Sequence, residues 1–99
     1  MDIRIQSIHF HADRKLLDYV QEKIDKLVRY YEDIIGGEVF LKIDKSSDLQ
    51  NKVIHVKLHI PGNDIFVEEK GRSFEEATDI AADVLARQIK KRKEKMRRM

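Results

Sequence analysis

The sequence predicts an α+β domain: a β-α-β-β-β-α two-layer sandwich, with a four-stranded sheet and two helices on one face. Three observations predict it. Four short segments alternate apolar and polar residues with a period of two, while two longer ones repeat apolar residues at helical spacing. Tight turn chemistry links the last three strand segments, whereas a helix separates the first from the second, so the first can reach the sheet only through a crossover. With 99 residues the chain makes one domain, 1–99, with one core, and the sheet and helices must bury their apolar faces on each other.

Ile3 and Ile5 alternate with Arg4 and Gln6, which reads as a half-buried strand over about residues 2–8. His9-Phe10-His11-Ala12 is a connection, and Asp13 is placed to cap the following helix. Leu16, Leu17, Val20, Ile24, Leu27, Val28 and Tyr31 then form one apolar stripe, with Gly36-Gly37 read as following the helix stop. Tyr19, Lys23, Lys26 and Tyr30 share one flank of that stripe. Glu38 to Lys45 reads as the second strand, with Val39, Leu41 and Ile43 on one face. After a polar turn at 46–51, Lys52 to Ile60 alternates cleanly: Ile54, Val56, Leu58 and Ile60 inward, Val53, His55, Lys57 and His59 outward. Pro61-Gly62-Asn63-Asp64 is a strong turn, and Ile65 and Val67 mark a fourth strand to about Lys70. The last five elements have the order of a double-stranded-RNA-binding domain, although order alone does not fix function.

The final helix is announced by Ser73 and Glu76 at capping-box spacing and carried by Phe74, Ala77, Ala81, Leu85 and Ile89. Its charge is ordered. Glu75, Glu76, Asp79 and Asp83 fill the front without a Lys or Arg, and Arg87, Lys90, Lys91, Arg92, Lys93, Lys95, Arg97 and Arg98 fill the back against Glu94 alone. This suits the helix dipole, but the dipole alone does not require so many cations. A helix over 74–96 would run roughly 35 Å, against about 24 Å for a seven-residue strand. The basic end, at about 87–99, should therefore overhang the domain, and a rigid cationic rod invites a polyanion. The ordinary alternative is a solvated, frayed terminus.

The overall charge of +2 conceals this asymmetry, since residues 1–72 hold 12 Lys+Arg and 13 Asp+Glu. The absence of Cys excludes disulfides, a thiolate nucleophile and a Cys-based zinc site. No signal peptide and no apolar run of about 20 residues are seen, so the expectation is a cytoplasmic protein without a membrane partner. His55 and His59 share a strand face but lie about 13 Å apart, too far for one ion, and His9-x-His11 has no evident third ligand. No phosphate loop, nucleophile elbow or pair of carboxylates in an apolar setting is present, so neither an enzyme, a cofactor nor a small-molecule substrate is expected. Phe40 and Phe66 on the outer sheet face have the look of stacking aromatics, but strand-edge packing explains them as well. Lys23 and Lys26 alone are ordinary surface lysines; joined to Arg87, Lys90, Lys91, Lys93 and Lys95 they would make a cationic ridge across both helices. Duplex RNA, read largely through phosphates and 2′-hydroxyls, calls for such a ridge.

Four segments together resemble the ribosome hibernation promoting factors, also called ribosome-associated inhibitors or sigma-54 modulation proteins. They are Tyr19-Val-Gln-Glu-Lys-Ile-Asp-Lys-Leu-Val-Arg-Tyr30, Val39-Phe-Leu-Lys-Ile-Asp-Lys45, the stretch from Gly71 to Asp79, and Leu85-Ala-Arg-Gln-Ile-Lys-Lys-Arg-Lys-Glu-Lys95. The resemblance covers nearly the whole chain, in register. It implies the same β-α-β-β-β-α fold. It also implies binding to the small (30S) ribosomal subunit and its rRNA between head and body, overlapping the messenger path and the tRNA sites. The consequence would be inhibition of translation under stress or in stationary phase. The family's rRNA-contacting positions carry over to Lys23, Lys26, Arg87, Lys90 or Lys91, Lys93 and Lys95. Glu75 stands where a tyrosine is common, and Val84 where a lysine is frequent. The length corresponds to the short type, expected to be a monomer when free. Two other readings stay open: a general binder of structured RNA, and a protein-interaction module, such as a sigma-factor modulator, whose basic helix docks on an acidic partner.

Overall fold

The computed structural model describes residues 2–45 and 49–97, with side chains at 3–45 and 49–94. The elements are β1 (Asp2–Ile8), α1 (Arg14–Tyr30), β2 (Gly36–Ile43), β3 (Lys52–His59), β4 (Ile65–Gly71) and α2 (Phe74–Arg97). The four strands form one sheet in the order β1-β2-β3-β4. β1 runs parallel to β2, as the α1 crossover requires, and the β2-β3-β4 meander is antiparallel.

Register explains which face is buried. Ile3, Gly37, Leu58 and Ile65 stand in one row across the sheet, and Ile5, Val39, Val56 and Val67 in the next. The central-strand members Val39, Val56 and Leu58 are completely buried, while the edge residues Ile3 and Ile5 are only partly so. Both helices cover this face. α1 packs by Val20, Ile24, Leu27 and Val28, and α2 by Phe74, Ala77, Ala81, Leu85 and Ile89. The helices also pack on each other, with α1 against β1 and α2 against β3 and β4. The small residues Ala77 and Ala81 let α2 approach the sheet closely, and Phe10, in the β1–α1 connection, stacks on Phe74 at 5.0 Å with 7° between the rings.

The caps follow their predicted chemistry. Asp13 Oδ1 accepts from the Leu16 N–H at 2.8 Å, and Ser73 Oγ accepts from the Glu76 N–H at 3.0 Å. In the β3–β4 turn, Asn63 N–H donates to the Ile60 carbonyl at 3.1 Å, and Gly62 supplies the positive φ of 90°.

Two expectations need correction, the reading of Gly36-Gly37 and the bounds of the second strand. Gly36 and Gly37 are not a helix stop: α1 ends at Tyr30 with Tyr31 as its C-cap, and the glycines open β2, which ends at Ile43. A Cβ on Gly37 would meet the Lys57 carbonyl oxygen at 2.7 Å and Leu58 Cδ2 at 2.9 Å, so glycine is needed there for close approach between strands. Ile43 faces inward by register but lies at the sheet margin, 38% exposed. Val53, on the outer face, is nonetheless fully buried. Its cross-strand neighbours are Lys42 and Lys70, and Lys70 reaches back over β3 to Asp44 at 3.1 Å, laying its aliphatic stem across the site.

Candidate nucleic-acid interface

α2 joins two unlike surfaces. Its front half is tied to α1. Asp79 Oδ1 accepts the Tyr19 hydroxyl at 2.7 Å and lies 3.4 Å from Lys23 Nζ, and that ammonium sits 5.7 Å from the centre of the Tyr19 ring. The hydrogen bond to Asp79 raises the Tyr19 phenol above its ordinary pKa, with burial and the negative charges of Asp79, Glu75 and Glu22 adding to it. The buried Thr78 donates to the Phe74 carbonyl at 2.6 Å, which satisfies a hydroxyl that would otherwise be stranded in the core.

The back half has a different character. Arg87, Lys90 and Lys91 are exposed, and none of them, nor Arg92 or Lys93, forms an ion pair among the described residues. Arg92 Nη1 donates to the Asn63 carbonyl at 3.1 Å, and Lys93 places its ammonium 5.1 Å from the centre of the Tyr31 ring. Ile89 is the last residue that α2 contributes to the described core, and the helix continues to Arg97.

The sequence-predicted cations are therefore not equivalent. Lys23 lies in the seam between the helices and is held by Asp79. Lys26 is exposed on the same flank of α1 and has no ion-pair partner among the described residues. At about 100° per residue, Lys90 and Lys93 fall on the flank of α2 that Asp79 turns toward α1, whereas Arg87 and Lys91 point about a quarter turn or more further round. Of the α2 cations, Lys90 and Lys93 thus lie on the side of α1, and Arg87 and Lys91 on the outer side. The Lys95 side chain lies outside the described residues. Val84 is half-buried against the core, which accounts for an apolar residue at that position.

Three features escaped the sequence reading. The contact of Asp79 with Tyr19 bridges 60 positions, and no spacing rule reaches that far. Phe10 was read only as part of a connection, although an aromatic between two elements hints at packing. The Arg92 contact depends on where the Pro61-Gly62 turn falls relative to α2.

Comparison with known proteins gives this architecture its place. A family model described as Sigma 54 modulation protein / S30EA ribosomal protein matches residues 3–97. A ribosome hibernation promoting factor of Pseudomonas putida is 35% identical over 95 residues, spanning 96% of this chain and 89% of that protein. One from Escherichia coli is 29% identical over 97 residues, spanning 98% of each. A ribosomal subunit interface protein from Coxiella burnetii superposes with a TM-score of 0.83 at 18% identity, covering 94% of this chain and 98% of that one. The Protein Y N-terminal domain of Thermus thermophilus does so with a TM-score of 0.72 at 24% identity, covering 91% and 93%. The fold is that of the ribosomal subunit interface proteins. The chain belongs to the Sigma 54 modulation protein / S30EA ribosomal protein family, whose curated relatives here are ribosome hibernation promoting factors.

Proposed function

We propose that the chain is a non-enzymatic ribosome hibernation factor that lodges in the decoding channel of the small ribosomal subunit and excludes messenger and tRNA by occupancy. Family membership supports the ribosome as partner. The observation that carries the reading further is the state of charge on α2. The cations of its back half carry no ion pair among the described residues, while Lys23, Lys57 and Lys70 each have a carboxylate partner. Unpaired cations on a rigid helix exchange hydration for phosphate without first losing an internal partner.

Binding through about six phosphate contacts gives a log–log salt slope near −5 by the duplex-DNA rule. The test is co-sedimentation with purified small subunits over a salt series, followed by competition with initiator tRNA and messenger. Displacement by those ligands is expected. A general binder of structured RNA would instead be displaced by any added duplex RNA, and that result would overturn the decoding-channel reading.

A further inference from the structure

We propose that Tyr30 is a stacking platform for an unpaired nucleobase of the RNA that the cationic helix ends engage. The inference rests on the functional reading above and adds a ligand chemistry to it. Tyr30 ends α1 with 79% of its surface exposed, the highest value among the described large hydrophobic side chains. It stands on the flank of α1 that carries Lys23 and Lys26, with Arg29 before it. The neighbouring Tyr31 ring is 6.1 Å away and tilted by 44°, so the two rings do not cover each other. Lys93 already occupies a face of Tyr31. What remains is an open aromatic face at the edge of a row of cations.

That combination suits RNA with a base out of its helix. A paired base hides its faces inside the stack, whereas a bulged or looped base offers one to an aromatic ring while its phosphates meet nearby cations. Glu32 and Asp33 follow in the turn, so the cations near Tyr30 lie on its α1 side. The outer sheet face also shows an aromatic, Phe66, 56% exposed, but two of the cations on that face have carboxylate partners: Lys57 lies 3.8 Å from Asp64 and Lys70 3.1 Å from Asp44. The Phe66 ring is also met edge-on by His55, 5.6 Å away, so it is not a bare platform.

The experiment compares Tyr30→Ala and Tyr30→Phe with the parent chain, after thermal melts confirm that all three are folded. Small-subunit affinity is expected to fall about tenfold for Tyr30→Ala, within the usual worth of one base stack, with an unchanged salt slope, and to hold for Tyr30→Phe. Equal affinity of Tyr30→Ala and the parent overturns the inference alone. A photo-crosslinking amino acid at position 30 should label an unpaired rRNA nucleotide; labelling of ribosomal protein alone makes the ring a protein contact and overturns it too. If the parent chain does not bind small subunits, the ribosomal reading itself fails. Stacking is then judged on an RNA hairpin with one bulged nucleotide against its fully paired counterpart: a preference for the bulge that Tyr30→Ala loses supports it, and no preference ends it.

Discussion

The two halves of α2 are built from one continuous helix yet use their charges in opposite ways. In the front half, acidic side chains serve the protein itself: Asp79 ties Tyr19 and Lys23 to α2 while Phe74, Thr78 and Ala81 bury the opposite side. In the back half, Ile89 is the last core residue among the described side chains, and the described cations face solvent or lie on Tyr31 and the Asn63 carbonyl. The contrast teaches that charge pattern alone does not mark an interface. Lys23 and Lys90 are both surface lysines in the sequence, but only one has an internal carboxylate partner among the described residues.

The largest effect should follow from reversing the charge of the back half. Replacing Arg87, Lys90, Lys91 and Lys93 together with Glu should abolish small-subunit co-sedimentation and lower the melting temperature only modestly, because exposed substitutions typically shift stability by no more than about 0.5 kcal/mol each and the Lys93 contact with Tyr31 is worth about 0.5–1 kcal/mol. The milder Gln versions should flatten the salt slope by about one per cation. Retained binding of the Glu protein would remove the back half from the interface.

The front half should show the reverse behaviour. Leu85→Ala empties a fully buried position, so urea unfolding should report a loss of about 2–5 kcal/mol, while the molecules that remain folded bind as before. Gly37→Ala tests the same scaffold from the sheet side. The new methyl must displace backbone rather than a flexible side-chain end, and a loss of about 1–3 kcal/mol is expected in the same measurement.

The smallest effect should come from the clamp that ties the front half to α1. The raised Tyr19 pKa means that folding favours the protonated phenol. Its hydrogen bond therefore contributes stability fully below the ordinary tyrosine pKa, and that contribution is lost as the pH rises through the folded value. Asp79→Asn removes the charge and should bring phenolate formation, followed by ultraviolet absorbance, back to lower pH. The same variant releases Lys23, so the salt slope should steepen by up to about one. An unchanged Tyr19 titration would show that Asp79 does not govern this seam in solution.

Much of the scaffold was legible because each element carries its own periodicity. Ile54, Val56 and Leu58 announce a buried strand face, and Asp13 and Ser73 announce helix starts through hydrogen bonds only three residues long. Gly36-Gly37 misled because a glycine pair after an apolar stripe reads the same whether it ends a helix or opens a crowded strand. The deciding fact is the Lys57 carbonyl across the sheet. Val53 misled because alternation assigns a face but does not say what lies over it.

The candidate site divides in the same manner. Element order, the inward rows of the sheet and the concentration of cations late in the chain can be read from the residues alone, since these depend on neighbours within a few positions. The engagement of Lys23 by Asp79, the contact of Lys93 with Tyr31 and the exposure of Tyr30 emerge only when the chain is folded. Those outcomes depend on the packing of α1 against α2, where a contact at 2.7 Å joins residues with no sequence relation to one another.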